Sequence, residues 1–91
     1  MKKKFIAYHG EVLVLEWYFD DRGKSSAFEY FNSLSLDRQE KIVNLIRFFG
    51  DAGKIFNKEK FRYEGDQIFA LKTSPDRFLC FFFEGAKVDY Y

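Results

Sequence analysis

Residues 12–19 (VLVLEWYF) are aliphatic or aromatic apart from Glu16, and such a short run rich in β-branched and aromatic residues is typical of a β-strand. Successive side chains of a strand point to opposite faces, so one face would carry Leu13, Leu15, Trp17 and Phe19. The apolar residues 5–8 are compatible with a short preceding strand, and the Asp-Asp-Arg-Gly sequence at 20–23 is typical of a turn. This part of the sequence therefore predicts extended structure.

The spacing then changes to that of two amphipathic helices. The first would begin at Ser25 or Ser26, both good caps, with Ser26 and Glu29 at capping-box spacing. Its apolar positions are Ala27, Tyr30, Phe31 and Leu34. The second would begin near 35–37 and end at Gly50 or Gly53. Its apolar stripe is Ile42, Leu45, Ile46 and Phe49.

The second half of the chain is predicted to consist mostly of strands. Residues 54–66 have no clean period, whereas strands are expected over 67–73, 77–83 and 86–90, with turns between them. The order is strand, helix, helix and a three-stranded meander. It predicts an α+β fold in which the two helices pack on one face of a mainly antiparallel sheet.

Length and composition limit the chain to one hydrophobic core. With 91 residues, a single domain over positions 1–91 is expected. A hydrophobic content of 47%, including many aromatic residues, argues against disorder. The longest apolar run, residues 78–83, has six members, far fewer than the roughly 20 of a membrane helix.

The charged start and the single cysteine predict a cytoplasmic protein without a metal site. Only three apolar residues follow the lysines at 2–4, fewer than the about 7–15 of a secretory signal. Cys80 lies in an apolar strand pattern, which predicts a packed, unreactive thiol. One Cys and one His cannot build a zinc site from those residue types, and no cofactor is expected. The single histidine, His9, precedes a glycine and is predicted to lie in a loop or at the end of a strand.

The hairpin around Pro75 is the sharpest candidate for chemistry. A two- or four-residue loop places Lys72 directly opposite Arg77, although like charges facing each other destabilise a strand pair. Two cations beside aromatic residues would suit an anion, such as a phosphate with a stacked base. The alternative is that both cations extend into water or pair with nearby carboxylates, namely Glu64, Asp66 or Asp76.

The segment 54–66 contributes a second group of cations. Lys54, Lys58, Lys60 and Arg62 alternate with aromatic residues, which is a pattern of nucleic-acid-binding proteins, although acidic residues dilute it. These four residues are therefore predicted RNA contacts. The alternative is a solvated loop held to the core by two phenylalanines, Phe56 and Phe61.

Three runs of sequence carry a resemblance to a known family: 65–72 (GDQIFALK), 76–83 (DRFLCFFF) and 86–88 (AKV). They resemble the RelE/HigB-like toxins of bacterial toxin–antitoxin pairs, most closely the phage-derived HigB-type branch. The shared pattern is an apolar-x-Leu-Lys strand, a short turn, and an Arg-apolar strand that ends in aromatic residues. The upstream strand, Gly-Lys-Ser helix start and longer helix also fit, so the resemblance implies a RelE-like fold over nearly the whole chain.

The resemblance implies a toxin that cleaves messenger RNA in the ribosomal A site, by attack of a 2′-hydroxyl on the adjacent phosphodiester. Arg77 matches the family's phosphate-stabilising arginine, and Lys72 matches the basic residue that closes the first hairpin strand. The implied partners are a cognate antitoxin protein, the ribosome and mRNA, with no membrane and no metal.

Two departures from the family pattern concern catalysis. Family members continue into a C-terminal tail with a basic or His residue and an aromatic one, whereas this sequence stops after Tyr90 and Tyr91. Either tyrosine is then the candidate general acid or base. Ala70 also stands where some members have a catalytic lysine. The alternative function is a non-catalytic or truncated binding protein of the same fold, either an antitoxin partner or a ParE-like gyrase inhibitor.

Overall fold

The computed structural model describes residues 5–83, 89 and 90, and its elements form an α+β fold, as predicted. In chain order they are β1 (Phe5–His9), β2 (Val14–Trp17), α1 (Ser26–Ser33), α2 (Leu36–Ala52), β3 (Phe61–Gly65), β4 (Ile68–Lys72), β5 (Arg77–Cys80), β6 (Phe82–Phe83) and β7 (Asp89–Tyr90). Among the described residues, no helix combines the length and apolar character that crossing a bilayer requires.

Each helix begins at a serine whose side chain accepts a hydrogen bond from the first turn. Ser25 caps α1 and Ser35 caps α2, and each satisfies a backbone N–H that the helix leaves unpaired. Because the cap of α1 is Ser25 and not Ser26, Glu29 does not occupy the capping-box position. α2 ends at Gly53, whose φ of 80° is left-handed and favours glycine. The later of the two predicted stops is therefore the correct one.

The described strands form two sheets, with orders β1-β2-β7-β6 and β3-β4-β5, and not the single sheet that was predicted. Neighbouring strands are antiparallel, except that β2 and β7 run parallel. β5 and β6 are separated only by Phe81, so the chain passes directly from one sheet into the other.

One cluster of buried residues joins α2 to strands of both sheets. Its members are Leu13, Leu15, Leu34, Ile42, Leu45, Ile46, Phe49, Leu71, Phe78 and Cys80. The predicted apolar stripe of α2 is confirmed, since Ile42 and Phe49 are 0% and 1% exposed. The packed thiol is confirmed too, because Cys80 is buried and its burial raises the pKa of the thiol to about 12.

The β1–β2 loop docks on the C-terminal turn of α2 through two glycines. The Gly50 carbonyl accepts the backbone N–H groups of Val12 and Leu13, each at 2.9 Å. A Cβ added at Gly10 would lie 2.2 Å from the Gly50 carbonyl carbon, so only glycine fits there. This contact satisfies a carbonyl that the end of the helix leaves unpaired.

Several predicted boundaries are wrong or fall outside the described residues. Residues 61–65 form β3, although 54–66 showed no strand period, because pairing with β4 orders an edge strand whose middle is exposed. β2 begins later than predicted, because the backbone N–H groups of Val12 and Leu13 donate to the Gly50 carbonyl and not to a neighbouring strand. The strand predicted over 77–83 is interrupted at Phe81. Of the strand predicted over 86–90, positions 86–88 lie outside the described residues.

Candidate nucleic-acid interface

The β4–β5 hairpin places two cations directly side by side. Lys72 is opposite Arg77 in the antiparallel register, which confirms the predicted pairing. Residues 73–76 connect the strands, and the backbone N–H of Thr73 donates to the carbonyl of Asp76 at 2.9 Å. Facing like charges are unfavourable in a strand pair, and an anion bound between them would remove the repulsion.

The third strand of this sheet brings two more cations to the same side. The backbone N–H of Lys72 donates to the Lys60 carbonyl at 2.7 Å, which extends the β3–β4 ladder by one residue. Phe61 packs against the core, so its neighbours Lys60 and Arg62 point away from the core. We call the side of the β3-β4-β5 sheet that carries Lys60, Arg62, Lys72 and Arg77 the basic face. From strand geometry, these residues span about 10 Å across the strands and about 7 Å along them.

The opposite side of the same strands is apolar and buried. Leu71, Phe78 and Cys80 are all in the core cluster, whereas Arg77 is exposed and Leu79 is 55% exposed. The alternation of β5 therefore separates a core side from a solvent side, as predicted, whereas β4 does not alternate in exposure, because Ala70 on the solvent side is fully buried. The solvent side holds the cations.

Asp76, the carboxylate next to Arg77 in sequence, is committed to other partners. It is 2% exposed and accepts hydrogen bonds from Arg38, at 3.0 Å to Nε, and from the Tyr30 hydroxyl. The Arg38 hydrogen bonds, and then that of Tyr30, hold the pKa of Asp76 below its ordinary value. The same carboxylate raises the pKa of Tyr30. Asp76 therefore neutralises Arg38 and not the hairpin cations.

No carboxylate of the described residues forms a salt bridge with the basic face. The two salt bridges found within those residues join Arg38 to Asp76 and Lys41 to Asp37. Glu64 and the β3–β4 turn residue Asp66 are exposed. Of the carboxylates that the sequence left open as partners, none forms a salt bridge with Lys72 or Arg77; the Arg77 side chain is exposed and that of Lys72 is half-buried.

The other two predicted RNA contacts, Lys54 and Lys58, are not on a strand of the basic face. Lys54 follows α2, and its Nζ lies 5.4 Å from the centroid of the Phe56 ring. Lys58 is exposed in the turn before β3. The predicted anchoring of this segment is half correct, because Phe61 packs against Phe49 at 5.0 Å between ring centroids but Phe56 is 84% exposed.

The two candidate general acids or bases are Tyr90 and Tyr91. Tyr90 belongs to β7, where its backbone is opposite Leu15 and Phe82, and Tyr91 lies outside the described residues. The role assigned to either tyrosine stays a prediction. Ala70 is fully buried, and His9 ends β1 opposite Val14, in agreement with its predicted strand-end position.

The buried cluster of Asp76, Arg38 and Tyr30 was missed by sequence reasoning. An aspartate next to a proline reads as a turn residue, and its partners are 38 and 46 positions away. Nothing local in the sequence signals either contact. A buried carboxylate at this turn is consequently visible only in the folded chain.

Comparison with known proteins adds no relative: no family model, no curated protein and no solved structure matches this chain.

Proposed function

We propose that this protein is a RelE/HigB-like toxin that binds messenger RNA on its basic face and cleaves it on the ribosome. The proposal is carried by four cations, Lys60, Arg62, Lys72 and Arg77, on one solvent-facing side of a sheet. Phosphate groups suit such a surface, because each Lys or Arg contact releases condensed counterions from the nucleic acid. The proposal requires a cytoplasmic location and makes a cognate antitoxin the expected inhibitor.

Cleavage by a 2′-hydroxyl needs both charge stabilisation and proton transfer. The 2′-oxygen attacks the adjacent phosphorus, its proton passes to a base, and the P–O5′ bond breaks as an acid protonates the leaving oxygen. A 2′,3′-cyclic phosphate results. Negative charge grows on the non-bridging oxygens, where Arg77 offers a planar fork of donors and Lys72 a compact charge. Tyr90 or Tyr91 is the proposed acid or base.

Mapping the 5′ ends of an mRNA after incubation with the protein, with and without programmed ribosomes, tests the activity. Cuts in register with codons are expected only with ribosomes. Arg77→Ala should lower the cleavage rate about 100- to 1,000-fold, the cost of losing one donor to developing charge. Lys41→Ala is the matched control, because it removes the same charge from an exposed position on α2.

Affinity measurements at several salt concentrations separate binding from cleavage. Lys72→Ala and Arg77→Ala should each weaken RNA binding and reduce the slope of log K against log salt by about 1. Retained binding without cleavage would assign the chain to the non-catalytic alternative. DNA damage in expressing cells with an intact transcript pool would favour the gyrase inhibitor. If neither variant changed affinity or slope, the basic face would not be the RNA site.

A further inference from the structure

An aromatic pair lies where the two sheets meet. Tyr18 directly follows β2, and Phe81 is the residue between β5 and β6. Their ring centroids are 6.1 Å apart at an interplanar angle of 65°, an edge-to-face contact. Tyr18 is 45% exposed and Phe81 is half-buried, so the pair presents aromatic surface to solvent.

The neighbours of these two rings show which side of the sheet they occupy. Trp17, next to Tyr18, packs in the core against Phe78, with 6.1 Å between ring centroids. Phe82, next to Phe81, contacts the buried ring of Phe49. Because adjacent residues of an extended chain point to opposite sides, Tyr18 and Phe81 lie on the side opposite the core. This is also the side of the basic face.

The aromatic pair is therefore a continuation of the basic face along β5. Phe81 is four residues after Arg77, about 13 Å along an extended strand. Leu79, which is 55% exposed, lies between them on the same side. The surface thus changes from cationic at the hairpin to aromatic at the junction of the sheets.

We infer that Tyr18 and Phe81 stack an unpaired base of an RNA strand whose phosphates bind Lys72 and Arg77. The inference rests on the proposed function and adds a base-binding position to its RNA site. A duplex would satisfy the cations, but its bases are stacked on one another and cannot reach an aromatic side chain. An unpaired strand supplies both groups, since every base has a face that can stack.

The inference is tested by fluorescence anisotropy, which measures binding without requiring cleavage. The probe is a labelled single-stranded RNA of about four to eight nucleotides, within the site sizes of comparable surfaces. Tyr18→Leu keeps apolar volume but removes the ring, and Tyr18→Phe keeps the ring. Tyr18→Leu should weaken binding about 5- to 150-fold, the usual effect of one stacked base, whereas Tyr18→Phe should bind like the wild type. Phe48→Ala, which removes an exposed ring from α2, is the control and should not change affinity.

Two further comparisons distinguish stacking from a general effect on the fold. Tyr18→Leu should leave the salt slope unchanged, because stacking involves no phosphate, whereas Lys72→Ala should reduce it by about 1. An oligonucleotide of the same length without bases should bind Tyr18→Leu and wild type equally. Phe81→Leu removes the second ring and gives an independent measurement if Tyr18→Leu folds poorly.

Different failures point to different proposals. If Tyr18→Leu and Phe81→Leu bind the base-bearing strand like the wild type while Lys72→Ala binds weakly, the stacking inference is wrong and the RNA-binding proposal stands. Equal affinity for a duplex and a single strand would also overturn the inference. If Lys72→Ala and Arg77→Ala bind as tightly as the wild type, the proposed function fails, and the stacking inference fails with it.

Discussion

Gly10→Ala should destabilise the fold through a single backbone contact. A Cβ added at Gly10 would lie 2.2, 2.3 and 2.6 Å from the carbonyl carbon, the carbonyl oxygen and the Cα of Gly50. Ordinary carbon–carbon contacts are about 3.5–4.0 Å, so the β1–β2 loop would have to move away by roughly 1.3 Å or more. Neither partner can turn aside, because all three atoms belong to the backbone of α2.

The loss of stability can be estimated from the hydrogen bonds that this movement of the loop would break. The Gly50 carbonyl accepts the N–H groups of Val12 and Leu13, each at 2.9 Å, and a shift of this size would lengthen both bonds beyond hydrogen-bonding range. Two net hydrogen bonds contribute about 1–3 kcal/mol, and overpacking a rigid contact costs about 1–3 kcal/mol. Moving the loop relieves the overpacking as it breaks the bonds, so the two costs do not add. We expect the free energy of unfolding to fall by about 2–3 kcal/mol.

Urea and thermal unfolding, followed by Trp17 fluorescence, measure this loss. The urea midpoint should fall with an unchanged m value, and Tm should fall by about 10–20 °C for a domain of this size. Gly50→Ala is the matched control: its Cβ would meet side-chain atoms of Tyr8 at 2.8 Å and of Leu15 at 3.1 Å. Side chains can shift, and alanine gains about 1 kcal/mol of helix propensity, so this variant should stay within about 1 kcal/mol of wild type. A Gly10→Ala protein as stable as wild type, or less destabilised than Gly50→Ala, would refute the reasoning.

Phe49→Ala should cost about 3–5 kcal/mol of stability, because it empties a fully buried site, whereas Phe56→Ala at an exposed site should leave the urea midpoint nearly unchanged; equal midpoints would contradict the core assignment. Cys80 should resist thiol reagents at about pH 8 until the protein unfolds, since burial raises its pKa to about 12, and rapid labelling of native protein would exclude a buried thiol. Asp76 has a lowered pKa in the fold, so its contribution to stability is complete above the unfolded value of about 4 and is lost as pH falls through the folded value. Asp76→Asn should therefore lower the urea midpoint at about pH 7 and flatten its acid dependence below about pH 4; an acid dependence identical to that of wild type would show that the Arg38 pair is not responsible.

The two helices and the strands β2, β4 and β5 were predictable because strand and helix periods are local properties of a sequence. The stripe that begins with Ile42 recurs at helical spacing, and each of its members is buried. β3 was not predictable, because an edge strand with an exposed middle shows no apolar alternation. Its strand state depends on hydrogen bonds to β4, whose sequence pattern is clear.

Part of the candidate site was also predictable from the sequence and part was not. The pairing of Lys72 with Arg77 was predictable, since a short turn sets the register of the two strands that it joins. The position of Arg62 on the basic face was not predictable, because it depends on the register in which β3 pairs with β4. The Tyr18–Phe81 contact joins a residue that follows β2 to one that lies between β5 and β6, and neither segment of the sequence indicates it.

The sequence by itself determined the buried stripe of α2, the alternation of β5 and which two cations meet across the hairpin. These features depend on the burial of apolar residues, which is favourable, and the strand or helix spacing of those residues can be recognised within each segment. Only the tertiary structure decided that Asp76 pairs with Arg38, because that contact forms when α2 and the β4–β5 turn pack together. An unpaired carboxylate is costly to bury, and the packed structure pairs the buried Asp76 with Arg38. Asp76 therefore does not neutralise Arg77, whose side chain is exposed.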